Sequence, residues 1–301
     1  MRHLLKLADF SEADILYALD LADQLKYEKK NGIPHQHLRG KTLGMIFEKS
    51  STRTRVSFEV GMYDLGGTAL FLSSRDLQIG RGEPVEDTAR VLSRYLDGIM
   101  IRTFAQSEVE ALAEKGSIPI INGLTDYCHP CQVMADLMTI REHKGSLAGK
   151  KLTYIGDGNN MANSLIVGGI KMGMQVAVAC PAAYKPDAAI MQWASETGRF
   201  LCTEDIKEAA KDADVLYTDV WASMGQEEEA EERRRVFASY QINAEVMKVA
   251  KSDAMVLHCL PAHREEEITA EVFEAHAQEI FDQAENRLHA QKAIMVMCMG
   301  A

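Results

Sequence analysis

The residues best suited to chemistry in this 301-residue sequence fall in short clusters, the first of which is Phe47-Glu48-Lys49-Ser50-Ser51-Thr52-Arg53-Thr54-Arg55. It follows an apolar, strand-like run and opens a segment of helical spacing. A helix N-terminus presents free backbone N–H groups and the positive end of the helix dipole, so it favours an anion. Arg53 and Arg55 place cations in that first turn, the wrong sign for the dipole, at a cost of roughly a few tenths of a kcal/mol or more each. A bound phosphate reverses the penalty, and the hydroxyls of Ser51, Thr52 and Thr54 supply further donors. A polar cap with solvated arginines is the alternative.

The second cluster is Asp126-Tyr127-Cys128-His129-Pro130-Cys131-Gln132. Its Cys-x-x-Cys spacing invites a metal or a thioredoxin-like dithiol, although a zinc site needs further ligands and no second Cys pair or His pair stands at finger spacing. The third is Asp219-Val220-Trp221-Ala222-Ser223-Met224-Gly225, where a carboxylate, a hydroxyl and flexible backbone suit an ammonium group and Gly225 suits a lid hinge; an ordinary strand-to-helix turn is the plainer reading. Gly156-Asp157-Gly158-Asn159-Asn160 hints at a dinucleotide fingerprint but has Met161 where the third glycine belongs. Arg102 ends a strand, and His258-Cys259-Leu260-Pro261 follows another; a cysteine in such a place is more often inert than reactive. The stretch 226–235, dense in Glu and Arg, reads as a solvated helix.

The elements that position these clusters alternate. Strands are expected at 41–47, 68–72, 97–102, 118–124, 151–157, 175–180, 215–220 and 254–260, with helical segments between. Val56, Val60 and Tyr63 form one helical stripe and Val133, Leu137 and Ile140 another, while Ser107 with Glu110 resembles a capping box. Such βα alternation predicts parallel sheets covered on both faces, and ligands in open α/β sheets bind beyond the carboxyl ends of strands, where every cluster above falls. Residues 144–150 are the expected boundary between two α/β halves.

Composition narrows the classes. A net charge of −11 argues against a general nucleic-acid or anionic-membrane binder, yet a few local arginines can still hold a small anion. No apolar run reaches the roughly 18 residues of a membrane span, and the start of the chain lacks the apolar core of a signal peptide, so a cytoplasmic location is expected. The six cysteines read as thiols and not as a disulfide framework.

Ser-Thr-Arg-Thr after Phe-x-Lys-x resembles the carbamoyl-phosphate signature of the aspartate/ornithine carbamoyltransferase family, and the other clusters agree with that family in order and spacing, from about Phe10 to Met299. The resemblance implies that Ser51, Thr52, Arg53 and Thr54 hold the phosphate; that His129 and Gln132, as His-Pro-x-Gln, contact the carbamoyl group; and that Arg102 reaches its carbonyl oxygen and phosphate. It makes Cys128 and Cys131 incidental. Gln78, in Asp76-Leu77-Gln78-Ile79-Gly80, matches a loop residue that a neighbouring subunit inserts into the site; the following Gly82-Glu83-Pro84 departs from the family's more common Glu-Ser. Cys259, Leu260 and Arg287 join the carbamoyl-phosphate set, while Asn160, Asp219, Ser223 and Met224 contact ornithine. Ser223-Met224-Gly225 and His-Cys-Leu-Pro are similar to the family's ornithine branch.

The fold thereby implied is α/β with two domains, each a parallel sheet flanked by helices: residues 1–145 with a returning C-terminal helix 284–301 for carbamoyl phosphate, and 146–283 for ornithine. The activity implied is transfer of the carbamoyl group to the side-chain amine of L-ornithine, giving citrulline and phosphate, in arginine metabolism. An amine of pKa near 10.4 is neutral in only about one molecule in a thousand at pH 7, so the site must take a proton; Asp219 and Cys259 are the candidates, with Arg102, His129 and Thr54 stabilising the charge on the carbonyl oxygen. The leaving group is already activated, so neither a metal nor an organic cofactor is expected. The resemblance further implies ordered binding with domain closure and a homotrimer with shared sites. Rival readings are a carbamoyltransferase for aspartate, putrescine or N-acetylornithine, and a non-catalytic phosphate-binding or regulatory subunit.

Overall fold

The computed structural model describes residues 2–75, 77, 82–222 and 229–300. The chain divides into two compact units, Met1–Met138 with Asn286–Ala301, and Thr139–Glu285. Both are α/β, as the alternation of apolar runs predicts.

In the first unit α1 (Glu12–Lys30) precedes β1 (Thr42–Phe47), α2 (Thr52–Asp64), β2 (Thr68–Ser73), α3 (Val85–Leu92), β3 (Gly98–Arg102), α4 (Gln106–Lys115), β4 (Ile120–Leu124) and α5 (Pro130–Lys144), the last running into the second unit. The sheet is parallel in the order β2-β1-β3-β4. Its inner strands are buried along nearly their whole length, as expected for a parallel sheet covered on both faces. Ile46, Ile99, Ile101 and Ile120 pack there with Val109 and Leu112 of α4. The order reverses between β1 and β3, whose last residues, Phe47 and Arg102, are register partners. The backbone N–H of Glu48 donates to the Arg102 carbonyl at 2.9 Å, which ties the loop after β1 to that point.

Two local expectations fail in this unit. The buried face of α2 carries Thr54, Phe58, Gly61 and Met62, whereas Val56 and Tyr63 are exposed; a polar Thr54 and a glycine disguise the true inner face. The N-cap of α4 is Ala105, without a side-chain bond, so Ser107 and Glu110 form no capping box.

In the second unit β5 (Lys151–Ile155), α6 (Asn160–Lys171), β6 (Gln175–Ala179), α7 (Ala188–Glu196), β7 (Phe200–Thr203), α8 (Ile206–Ala210), β8 (Val215–Thr218), α9 (Ala230–Phe237), α10 (Ala244–Met247), β9 (Met255–His258), α11 (Ala270–Ala275) and the start of α12 (Ala277–Met299) follow. The parallel order is β7-β6-β5-β8-β9. Edge strand β7, four half-exposed residues, has too weak a periodicity to be expected from sequence. Leu216, Phe237, Val256 and Phe273 lie in the core. Here the order reverses between β5 and β8, with Ile155 opposite Thr218. From Asn286 on, α12 belongs to the first unit, where an added Cβ on Gly61 of α2 would meet Met295 at 2.8 Å. No described helix is long and apolar enough to cross a membrane.

Candidate active site

In the first unit the chemistry gathers at the α2 N-terminus, beyond the β1/β3 switch point. Ser51, extended at φ −163°, caps the helix by accepting the Thr54 N–H on its hydroxyl at 3.2 Å. The buried Thr54 hydroxyl in turn accepts from two buried guanidiniums, Arg102 Nη1 at 3.4 Å and Arg287 Nη2 at 3.1 Å. Arg287 Nη1 also donates to Gln132 Oε1 at 2.7 Å, and Gln132 Nε2 donates to Asp136 at 2.8 Å, which fixes the Gln132 amide. His129 is buried beside them; burial first, then the charges of Arg287, Arg102 and Arg53, hold its pKa well below 6.5 and the ring neutral. Positive charge thus concentrates at a helix N-terminus whose amides and dipole share its sign. Such an arrangement becomes favourable when an anion sits in it.

Cys128 and Cys131 do not form a redox or metal pair. Burial pushes each thiol up to about 12, and each donates to a carbonyl, Cys128 to Leu5 at 3.5 Å and Cys131 to Asn122 at 3.2 Å. A protonated, satisfied thiol is neither nucleophile nor ligand.

In the second unit the loops after β5 and β8 meet at the switch point, with the loop after β9 next to them. Asn159 caps α6 by accepting the N–H groups of Met161 and Ala162, and its Nδ2 donates to Asp219 Oδ2 at 3.2 Å. Asn160 is the first residue of α6 and half-buried. The buried Asp219 carboxylate accepts the Cys259 thiol on Oδ1 at 3.0 Å, together with the Val220 N–H at 2.8 Å. His258 is fixed as its Nε2–H tautomer: Nδ1 accepts the Leu260 N–H at 2.9 Å, and Nε2 lies 2.9 Å from Glu267 Oε1 in a pair with fully buried side chains. Asp219, His258 and Cys259 offer ligand atoms within 4.8 Å of one another. Both His258 nitrogens are already engaged, so a metal would have to break this network. Leu260 carries φ +59° before a cis peptide to Pro261.

Two family profiles divide the sequence: "Aspartate/ornithine carbamoyltransferase, carbamoyl-P binding domain" matches residues 2–142, and the Asp/Orn binding domain of the same family matches 148–298. The chain belongs to the aspartate/ornithine carbamoyltransferase family. Proteins named ornithine carbamoyltransferase from Anoxybacillus flavithermus and Oceanobacillus iheyensis are 59% and 57% identical to it, the alignments covering 98% and 99% of this chain and 96% and 94% of theirs. The solved ornithine carbamoyltransferase of Pyrococcus furiosus superposes with a TM-score of 0.95 at 53% identity, over 100% of this chain and 97% of that one. That of Giardia lamblia gives 0.88 at 32% identity, over 99% and 98%.

Within this carbamoyltransferase fold, Thr54, Arg102, His129, Gln132 and Arg287 share one network, with Ser51 as helix cap, Thr52 exposed and Arg53 half-buried. Asn159, Asp219 and Cys259 form another, with Asn160 and Leu260 adjoining. Gln78, Ser223, Met224 and Gly225, the last expected as a lid hinge, lie outside the described residues. Three positions were missed from sequence. Gln291, one helical turn after Arg287, accepts from Arg287 Nε at 3.1 Å and Nη2 at 2.7 Å when its amide oxygen faces the guanidinium; the i,i+4 spacing was the available signal. Lys49, buried, pairs with Asp126 and lies 4.3 Å from the Phe104 ring centre. Arg233, expected on a solvated helix, is buried: it pairs with Asp157 at 2.8 Å, donates to the Trp221 carbonyl at 3.0 Å and lies 5.0 Å from the Tyr184 ring centre.

Proposed function

We propose that this protein transfers the carbamoyl group of carbamoyl phosphate to the side-chain amine of L-ornithine, giving L-citrulline and phosphate, in arginine metabolism. The observation that carries the reading is the Asp219–Cys259 hydrogen bond of 3.0 Å beyond the carboxyl ends of β8 and β9, in a chain more than half identical along its length to proteins named for ornithine.

Residues of the first unit take carbamoyl phosphate. The Ser51–Thr54 turn, Arg53 and Arg287 hold the phosphate; Arg102, Thr54 and neutral His129 attend the carbonyl oxygen, and Gln132 orients the carbamoyl amide. A neutral imidazole can donate one hydrogen bond without adding a fourth cation to the cluster, which suits a carbonyl that gains negative charge as the amine attacks. Residues of the second unit take ornithine: Asn160 its carboxylate, and Asp219 with Ser223 and Met224 its ammonium end. Asp219 is already poised as a hydrogen-bond acceptor, and the Cys259 thiol it accepts is the group next in line to pass a proton to it. Cys259 and Leu260 also border the carbamoyl group. Attack on the carbonyl carbon forms the C–N bond, the C–O bond to phosphate breaks, and the amine proton leaves through Cys259 and Asp219. The first unit is accordingly the carbamoyl-phosphate domain and the second the ornithine domain.

A cytoplasmic homotrimer in which the Gln78 loop serves a neighbouring subunit completes the proposal, by resemblance to the family. The test is ureido-product formation from carbamoyl phosphate with ornithine, aspartate, putrescine and N-acetylornithine in parallel, beside Arg53→Ala. Activity with ornithine that disappears in Arg53→Ala supports the reading, preference for another amine removes the ornithine assignment, and inactivity with all four leaves a phosphate-binding protein.

A further inference from the structure

Outside these networks, two thiols face each other on neighbouring strands of the second unit. Cys180 directly follows β6, Cys202 lies in β7, and their sulfurs are 3.9 Å apart. Cys202 is in register with Val178, two residues before Cys180, so both side chains rise from the same face of the sheet. Cys180 is buried and Cys202 half-buried. We propose that Cys180 and Cys202 form a reversible thiol–disulfide pair, oxidised by hydroperoxides, that acts on the loop between β5 and α6.

Cys202 is the attacking sulfur. The hydrogen bond from the Cys180 S–H, aided by the charge of Lys185, lowers its thiol to about 7 against the opposing effects of burial and Glu204. The bond to Cys202, burial, the Cys202 charge and Asp157 push Cys180 far the other way, so it keeps its proton. An accessible thiolate beside a resolving thiol is the arrangement redox-sensing cysteines share. The buried Cys128, Cys131 and Cys298, pushed up to about 12, have no such character. In the first step the Cys202 thiolate attacks one oxygen of hydrogen peroxide; the S–O bond forms, the O–O bond breaks, and the departing hydroxide becomes water on taking a proton from solvent. The attacked oxygen keeps its own hydrogen, so Cys202 is left as the sulfenic acid. In the second, the Cys180 sulfur attacks the Cys202 sulfur; the S–S bond forms, the S–O bond breaks, and the hydroxide leaves as water with the Cys180 proton. Two thiols and one peroxide become a disulfide and two waters, and a small-molecule dithiol reverses it.

The sulfurs must approach from 3.9 Å to the roughly 2.0 Å of a disulfide. Among the described strands β7 is the sheet's edge, bonded to β6 alone, so one partner can yield. The other sits where the chain leaves β6 to clasp the β5–α6 loop: Gly156 N–H donates to the Ala179 carbonyl at 3.0 Å, and Gly158 N–H to the Tyr184 carbonyl at 2.9 Å. Closing the disulfide pulls on that clasp and on Asn159 and Asn160 beyond it. The kinetic consequence, though not the cross-link, rests on the ornithine assignment of this loop.

The experiment treats the full-length protein with hydrogen peroxide at neutral pH, blocks remaining thiols by alkylation and maps the peptides by mass. The expected result is a Cys180–Cys202 cross-link, its mass lower by two hydrogens, formed before any change at Cys128, Cys131 or Cys298 and reversed by dithiothreitol. In Cys180→Ser, Cys202 is expected to run on to the sulfinic acid. Oxidation of Cys202 in the parent without a cross-link, or no faster than Cys128, overturns the proposal. In the cross-linked protein the KM for ornithine is expected to rise several-fold while that for carbamoyl phosphate stays within about twofold; an unchanged ornithine KM overturns the coupling to the loop. Failure of the ornithine assignment shows separately, as absence of ornithine turnover in untreated protein.

Discussion

Replacing Gly158 by alanine tests whether the β5–α6 loop is shaped by its packing against the chain leaving β6. A Cβ built on Gly158 would lie 2.3 Å from Pro186 N, 2.4 Å from the Lys185 carbonyl carbon and 2.5 Å from Tyr184 O. All three are backbone atoms, so no side-chain rotation relieves the overlap, and one segment must retreat by about 1 Å to regain ordinary contact. Overpacking of this kind costs about 1–3 kcal/mol, and the Gly158–Tyr184 hydrogen bond of 2.9 Å, worth about 1 kcal/mol, goes with it. The expected loss of stability is therefore about 2–4 kcal/mol. The same shift displaces Asn159, whose amide meets Asp219 at 3.2 Å, so the KM for ornithine should rise several-fold while that for carbamoyl phosphate, whose assigned phosphate-holding residues lie in the first unit, changes little. Urea unfolding and steady-state kinetics with each substrate varied in turn measure both effects. A variant within about 0.5 kcal/mol of the parent, with its ornithine KM intact, would show that the loop does not depend on this packing.

Arg233→Ala leaves the buried Asp157 without its guanidinium and should lower stability by about 3–5 kcal/mol. Burial already raises the Asp157 pKa despite Arg233; a carboxyl raised on folding favours the folded state at low pH and loses that contribution as pH climbs through its folded pKa, so the variant should suffer less at pH 4.5 than at pH 8, and equal penalties in urea unfolding at the two would count against this account. Thr54→Val removes the hydroxyl that accepts from both Arg102 and Arg287; with charged hydrogen bonds worth about 1.5–3 kcal/mol each, about 3–6 kcal/mol together, kcat/KM should fall by about a hundredfold or more with the circular dichroism unchanged, and a loss under about fivefold argues that neither arginine needs it. His129 has a folded pKa well below 6.5, so the unfolded chain binds the extra proton between the two values and stability falls as pH drops below about 6.5, by up to ~1.4 kcal/mol per pH unit. His129→Gln should lack that part of the slope in ligand-free protein, and identical slopes would exclude His129 as its source.

Much of the site was legible because catalytic residues in α/β sheets crowd the ends of strands, and strand ends show as apolar runs stopping at polar or glycine residues. The clusters that hold Thr54, Arg102, His129, Asp219 and Cys259 were located that way, and the roles expected of these residues came from the family resemblance. Arg287 came from resemblance alone, since nothing about one arginine inside a long helix says which way it faces. Arg233 was misjudged because a helix dense in Glu and Arg looks the same whether one arginine turns inward or none does; its partner, Asp157, is 76 positions away. The Cys128-x-x-Cys131 spacing pointed to chemistry that burial and carbonyl acceptors cancel. Cys180 and Cys202 gave no motif at all, since a strand pairing brings them together.

Pairing of this kind is general to parallel sheets and explains what a single sequence withholds. Each strand's end can be located alone, but which ends become neighbours depends on strand order and register, and those are set by packing across the whole sheet. Thr218 pairs with His258, so the next residues along the two strands, Asp219 and Cys259, leave the sheet side by side and their side chains meet at 3.0 Å. A register slip of one residue would turn both away, and with them the proposed proton path. The same geometry sets Phe47 beside Arg102, so that the loop opening α2 and the arginine ending β3 both reach Thr54. The hydrophobic faces that bury these strands therefore do more than stabilise the units: by choosing one register they choose which acid meets which thiol in one unit and which arginines share a hydroxyl in the other.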